Sequence, residues 1–277
     1  MKTGGRRGAW ARRRRFVQWS VVLAMVLLPV SYRFDQRVVF GTFSSLAVGP
    51  FSLIDPATGV ATALAFRAAP LALLGGMALP LLAAFILGPV FCSWVCPWGL
   101  FSEMLARVRK SPHRPPGGGR WKPSLRFGVL AGVLLASWAL RVPLVALFSA
   151  PGAASSLPLE WIFLGGIGSG TLIVLGSLLF AEIVLPRRVW CRLLCPVGSV
   201  LALLRMPRTL TVRASVGRCA GGSCEIACMN SCPWNLDPRR IGTFSGCTTC
   251  GQCLDACPVG GRLRFAFGNE QDAGHRN

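Results

Sequence analysis

The sequence predicts an all-α membrane protein: four transmembrane helices followed by a small, cysteine-rich C-terminal domain. Three observations predict it. The 277 residues are 52% hydrophobic and only 14% charged, where a water-soluble domain carries about 25% charged residues. The 30 Lys and Arg outnumber the 10 Asp and Glu, a net charge of +20, and they fall in blocks between apolar stretches. Eight of the twelve cysteines crowd into residues 219–257. Such a basic excess points first to nucleic acid, but in a hydrophobic chain whose basic residues follow the apolar blocks it reads as the positive-inside signature, and nucleic acid is set aside.

A helix rising 1.5 Å per residue needs about 20 apolar residues to cross a hydrocarbon core of about 30 Å. Four stretches qualify: about 16–32, 68–90, 125–148 and 161–185. Residues 1–15 form a basic N-terminus ending in Arg12–Arg15, and the apolar run after it lacks a small-residue cleavage site, so the first helix is expected to be retained. Pro80 and Pro143 lie inside spans, where neighbouring helices can satisfy the freed backbone groups. Of the 30 basic residues, 26 fall on one side of the four spans. That side is predicted cytoplasmic, with both termini in it, in a bacterial inner membrane. The membrane domain is then 16–205, the cysteine-rich domain 206–268 and a polar tail 269–277. Clustered thiols in a reducing compartment point to metal or redox work, not to a disulfide framework.

Cys247-Thr-Thr-Cys250-Gly-Gln-Cys253-Leu-Asp-Ala-Cys257-Pro258 is a C-x2-C-x2-C-x3-C-P run. Three of its thiolates can wrap one [4Fe–4S] cluster while the fourth reaches a second cluster of a two-cluster module. Upstream, Cys219-x4-Cys224-x3-Cys228-x3-Cys232-Pro233 has the same ligand count and a wider internal spacing. The expectation is a bacterial-ferredoxin-like domain with two clusters and crossed ligation: Cys219, Cys224, Cys228 and Cys257 on one, Cys247, Cys250, Cys253 and Cys232 on the other.

Two further motifs follow the second and fourth apolar stretches: Phe91-Cys92-Ser-Trp-Val-Cys96-Pro97-Trp-Gly99 and Trp190-Cys191-Arg-Leu-Leu-Cys195-Pro196-Val-Gly198. Their shared aromatic-Cys-x3-Cys-Pro-x-Gly pattern hints at a duplicated two-helix unit. Spacing of i and i+4 places the two thiols of each on one helix face, and the proline ends the helix. Cys92, Cys96, Cys191 and Cys195 are therefore candidates for a redox or metal role, whose nature the residues leave open, as against packing as small hydrophobes.

Four spans, the loop Ile54-Asp55-Pro56, the paired Cys-x3-Cys-Pro-x-Gly motifs and the double cysteine-rich tail resemble the NapH/MauN group of ferredoxin-type membrane proteins. The resemblance covers nearly the whole chain, and the Cys219–Cys232 spacing departs from the regular ligand run. It implies a membrane component of quinol dehydrogenation that takes electrons from ubiquinol or menaquinol through [4Fe–4S] clusters. It further implies a partner ferredoxin-type protein and a periplasmic oxidoreductase system of the nitrate reductase or methylamine dehydrogenase type.

Other chemistry has little support. His113 and His275 lie outside the apolar stretches and no C-x-x-C-H is present, so no haem is expected. No P-loop or G-x-G-x-x-G fingerprint points to a nucleotide. Glu182, near the inner end of the fourth stretch, is the candidate proton acceptor for quinol oxidation, against a salt bridge to Arg187 or Arg188. Trp94, Trp98, Trp121 and Trp190 read as an interfacial aromatic belt. The rival functions are an electron-donating maturation factor for a periplasmic oxidoreductase and a scaffold that docks a soluble ferredoxin.

Overall fold

The computed structural model describes residues 8–32, 39–49, 51–108, 123–184, 190–206, 208–214, 230–234, 236–238, 241, 246–258 and 263–267. Cys219, Cys224 and Cys228, and with them most of the irregular upstream motif, lie outside these residues, as do Trp121, Arg187 and Arg188.

Helix α1 (Ala9–Tyr32) takes up the arginine run. Three short strands follow, β1 (Val39–Thr42), β2 (Ser45–Val48) and β3 (Phe51–Ile54). They form an antiparallel meander with Thr42 opposite Ser45 and Val48 opposite Phe51. Asp55 then caps α2 (Pro56–Phe66), accepting from the Thr58 N–H at 3.0 Å, with Pro56 preset for the first turn. After α3 (Leu71–Leu87) the chain turns at Gly88 and forms the short α4 (Phe91–Trp94) and α5 (Pro97–Val108). Next come α6 (Pro123–Leu140), α7 (Leu144–Phe148), α8 (Ala150–Leu164) and α9 (Ser169–Val184). A π-helical turn, Trp190–Leu194, leads into α10 (Pro196–Leu203). The tail contributes β4 (Thr211–Ala214), α11 (Gln252–Ala256) and β5 (Leu263–Ala266), the two strands pairing antiparallel with Thr211 opposite Ala266.

This corrects the predicted fold class. Among the described residues no helix is long and apolar enough to cross a membrane, and two small sheets stand beside the helices. Three of the four apolar stretches are longer than the helices they form. The second shrinks to the 17 residues of α3, about 26 Å of helix against a core of about 30 Å. The third breaks at Arg141, whose φ is 55°, and the fourth is divided at Gly165 between α8 and the 16 residues of α9. Hydropathy counts apolar residues but does not see these left-handed breaks.

The core joins the two halves of the chain. Ala57 and Ala61 of α2, Ala84 of α3 and Val145 of α7 pack with Cys195, Val197 and Leu201. A second cluster joins Cys96 and Trp98 to Ala150 and Leu178. Among the described residues a buried ion pair ties α1 to α5: Arg14 Nη2 lies 2.7 Å from Glu103 Oε2, with side-chain exposures of 1% and 3%. Desolvating two charges is tolerated only where they neutralise one another at this range. Large apolar side chains also face outward, among them Leu74, Leu79, Leu82 and Ile86 of α3 and Leu172, Ile173, Phe180 and Val184 of α9.

Candidate functional site

The two Cys-x3-Cys-Pro motifs fold alike and meet. In each, the second cysteine closes a wide turn on the aromatic residue that opens the motif: Cys96 N–H donates to the Phe91 carbonyl at 2.9 Å, and Cys195 N–H to the Trp190 carbonyl at 2.8 Å. The following proline starts a new helix, α5 or α10. In each, the glycine two residues past the proline lies against the first cysteine's carbonyl and the second cysteine's Cβ. At Gly99 a Cβ would fall 2.6 Å from the Cys92 carbonyl oxygen, so only glycine permits this return of the chain.

Cys92, Cys96, Cys191 and Cys195 line one cavity, together with Trp98, Ser102, Arg126, Trp234 and Thr248. The structure thus brings all four predicted thiols together. Among the described residues, all cysteines are free thiols. Burial pushes the Cys92 and Cys195 thiols up, and that of Cys96 up to about 12; for Cys96 and Cys195 this is opposed by backbone N–H groups of Trp98 and Gly99, and of Val197 and Gly198, that hydrogen-bond the sulfurs. As bare thiols they hold their protons at neutral pH and are poor nucleophiles. Arg126 is the cation of the cavity. Its Nε donates to Ser199 Oγ at 3.1 Å and its Nη2 to the Gly198 carbonyl. Burial lowers its pKa, while Cys92, Cys195 and Cys191 act in the opposite direction.

The tail cysteines sit beside this cavity. Cys250 and Cys253 are buried and Cys232, Cys247 and Cys257 half-buried. Cys232 interacts with Cys250 and Cys247, and burial, the larger effect, pushes its thiol up to about 12. Cys253 and Cys257 pack with Val212 and Leu263 of the β4–β5 pair. Arg205 donates to the Cys247 carbonyl at 3.3 Å and to Thr211 Oγ1 at 2.5 Å. Among the described residues no group of three or more His, Cys, Asp or Glu closes on the position of one metal ion. Cys247, Cys250, Cys253 and Cys232 make up an all-sulfur donor set, the chemistry that an iron–sulfur cluster requires.

The loop carrying Cys247 and Cys250 is docked on the first Cys-x3-Cys-Pro motif. Ser93 Oγ donates to the Thr248 carbonyl at 2.5 Å, and Trp94 Nε1 to the Thr249 carbonyl at 3.1 Å. Helix α1 clamps it from the other side: the Trp10 and Ala11 N–H groups donate to the Asp255 carboxylate at 3.1 and 2.7 Å. Gly251, at φ 77°, lies under the Trp10 ring, where a Cβ would meet Trp10 Cβ at 3.0 Å. These contacts correct the aromatic-belt expectation: Trp98 is buried, Trp94 bonds the tail, and Trp190 packs against the core.

Glu182 is buried and accepts a hydrogen bond from Ser102, a residue of the cavity wall. The candidate proton acceptor therefore adjoins the four-thiol cavity. Sequence reasoning missed Arg126, Ser102 and Asp55 as neighbours of the thiols. Asp55 is half-buried, its pKa is raised to about 6 by burial, and its charge acts on both Cys92 and Cys195. A second, apolar cavity of about 240 Å³ lies between α1, the β1–β2 turn and α8, lined by Val21, Ala24, Met25, Phe43, Leu46 and Ser155 among others. The Phe43 ring meets Phe91 edge-on at 5.9 Å, so the walls of the two cavities touch.

A family model described as a 4Fe-4S binding domain matches residues 69–115 and again 167–213. Each match contains one Cys-x3-Cys-Pro motif. The ferredoxin-type protein NapH of Haemophilus influenzae is 25% identical over 90% of this chain and 88% of its own length. The methylamine utilization ferredoxin-type protein MauN of Methylobacillus flagellatus is 31% identical over 80% of this chain and 76% of its own. MauN of Paracoccus denitrificans is likewise 31% identical, over 81% and 76%. The chain spans only 56% of the length of a further relative, YccM of Escherichia coli, named as a candidate electron transport protein. No solved structure matches. The twice-matched 4Fe-4S domain and these relatives describe an iron–sulfur electron-transfer protein. The chain belongs to the family of ferredoxin-type proteins that includes MauN and NapH.

Proposed function

We propose that this protein oxidises a quinol, ubiquinol or menaquinol, and passes the electrons through [4Fe–4S] clusters toward a periplasmic oxidoreductase system, of the nitrate reductase or methylamine dehydrogenase type, with a partner ferredoxin-type protein. The observation that carries this reading is the apolar cavity whose wall residue Phe43 touches Phe91, next to Cys92. An aromatic head with a prenyl tail suits that lining. Thr42 and Ser155 are among its polar lining residues.

In the tail, Cys247, Cys250, Cys253 and Cys232 would hold one cluster and Cys219, Cys224, Cys228 and Cys257 the other. When bound, such clusters supply one-electron acceptors whose potentials the surroundings tune. A quinol gives up two electrons and two protons; the protons go to water. The residues between the apolar cavity and the tail form an unbroken chain of contacts: Phe43 on Phe91, Cys92 beside Ser93, and Ser93 bonded to Thr248 next to Cys247. Glu182 belongs to the thiol side of this chain, through Ser102 of the cavity wall. The outward-facing apolar side chains of α3 and α9 support association with lipid at a bacterial inner membrane, because apolar patches of this extent mark a membrane or partner contact.

The test is reduction of anaerobically purified protein by menaquinol, followed by the bleaching of its iron–sulfur absorbance. Ala24→Trp fills the apolar cavity and is expected to slow reduction by quinol at least tenfold while leaving reduction by dithionite unchanged. Equal reduction of parent and variant by quinol overturns the assignment of that cavity.

A further inference from the structure

We infer that Cys92, Cys96, Cys191 and Cys195 together hold one additional [4Fe–4S] cluster, shared between the two halves of the chain and distinct from the clusters of the tail. It rests on the iron–sulfur character of the protein and is independent of quinol oxidation.

Each 4Fe-4S match contains two cysteines, too few for a cubane. The fold supplies the rest by joining the halves, since the four thiols line a single cavity. Cys96 and Cys191 belong to one packed cluster, and Cys195 and Cys92 to another, so each cluster takes one cysteine from each half. The two turns repeat the same hydrogen bond, and in each the glycine faces the first cysteine's carbonyl, tightly at Gly99 and at ordinary contact distance at Gly198. Repetition of these details, down to Gly99 and Gly198, is more than packing requires of helix-end cysteines.

The donor set selects the occupant. It is thiol only, which excludes hard cations that need oxygen ligands. Soft thiolate sets take zinc, copper(I) or an iron–sulfur cluster, and the 4Fe-4S matches over both motifs favour the cluster. Four thiolates around such a core carry net negative charge, and the Arg126 guanidinium lies in the cavity wall to offset it, held by Ser199 and Gly198. Backbone N–H groups of Trp98, Gly99, Val197 and Gly198 already hydrogen-bond two of the sulfurs, the arrangement that stabilises cluster thiolates.

The test compares the anaerobically purified parent chain with two double variants, Cys92→Ser/Cys96→Ser and Cys191→Ser/Cys195→Ser, by iron and sulfide content, EPR and Mössbauer spectra. A shared cluster predicts that each double variant loses the same spectral component and about four irons. Cys247→Ser/Cys250→Ser is expected to lose a tail component and keep this one. Iron content and spectra unchanged in both double variants overturn the inference while leaving the tail clusters standing. Loss of a different component in each variant, or zinc or copper bound there, overturns it as well. Should a variant fail to fold, iodoacetamide mapping of the parent decides: the four thiols are expected to stay unlabelled until iron is chelated and to label afterwards. Labelling in iron-replete protein, or none after chelation, contradicts the inference.

Discussion

The Ser93 hydroxyl donates to the Thr248 carbonyl oxygen at 2.5 Å, joining a residue enclosed by Cys92 and Cys96 to one enclosed by Cys247 and Cys250. With Trp94 on Thr249, it fixes one cysteine loop upon the other. Electron transfer between neighbouring centres depends on such fixed contact, because docking sets their separation.

Loss of this contact is expected to slow transfer without emptying the sites. Ser93→Ala removes one hydrogen bond, worth about 1 kcal/mol of stability, and Trp94→Phe a second. In the double variant, iron content stays at the parent level while equilibration between centres after a flash of reductant slows several-fold. Unchanged rates would show that electrons cross elsewhere.

The buried pair Arg14–Glu103 ties α1 to α5. Removing one partner strands the other, so Glu103→Gln or Arg14→Met is expected to cost about 3–5 kcal/mol in urea unfolding. Replacing both by apolar residues is expected to recover most of that loss. A single variant as stable as the parent would mean the ion pair is solvated.

Asp255 caps α1 from the tail. Asp255→Ala is expected to cost about 1 kcal/mol, and to open the α1 start to limited proteolysis. Asp255→Asn should largely restore protection, since it keeps an accepting oxygen.

Arg126→Gln is expected to lower the midpoint potential of the four-thiol centre by tens of millivolts, because a lost cation disfavours the added electron. The tail centre should shift far less. A redox titration followed by EPR resolves the two, and equal shifts would place Arg126 midway between them.

Asp55 makes stability depend on pH. Its folded-state pKa is raised to about 6 from 3.8, so the folded state holds the proton more tightly than the unfolded chain. The contribution is full below the lower value and is lost as pH rises through the higher one. Denaturation midpoints are expected to fall between pH 4 and 6 in the parent. In Asp55→Asn, which keeps the helix cap, they should be flat across that window. A flat parent profile would contradict the burial of this carboxyl.

The chemistry was more legible in the sequence than the architecture. Ligand spacing is local, so Cys247–Cys257 and the twin Cys-x3-Cys-Pro motifs could be read directly. The joining of those motifs around one cavity depends on α2, α6 and α10 packing together, which no local pattern encodes. Hydropathy overran the helices because it cannot see the reversals at Gly88, Arg141 and Gly165. Strands of four residues such as Ser45–Val48 are too short to declare a period. Within Arg12–Arg15, nothing in the run marks Arg14 as the buried one; only Glu103, 89 residues later, does so.

Anaerobic titration of the intact, iron-replete protein with menaquinol, followed by EPR, tests the electron-transfer reading most directly. The expected result is reduction of the iron–sulfur signals by quinol, slowed at least tenfold by Ala24→Trp and preserved with dithionite. Signals that respond to dithionite alone, in parent and variant alike, would contradict it.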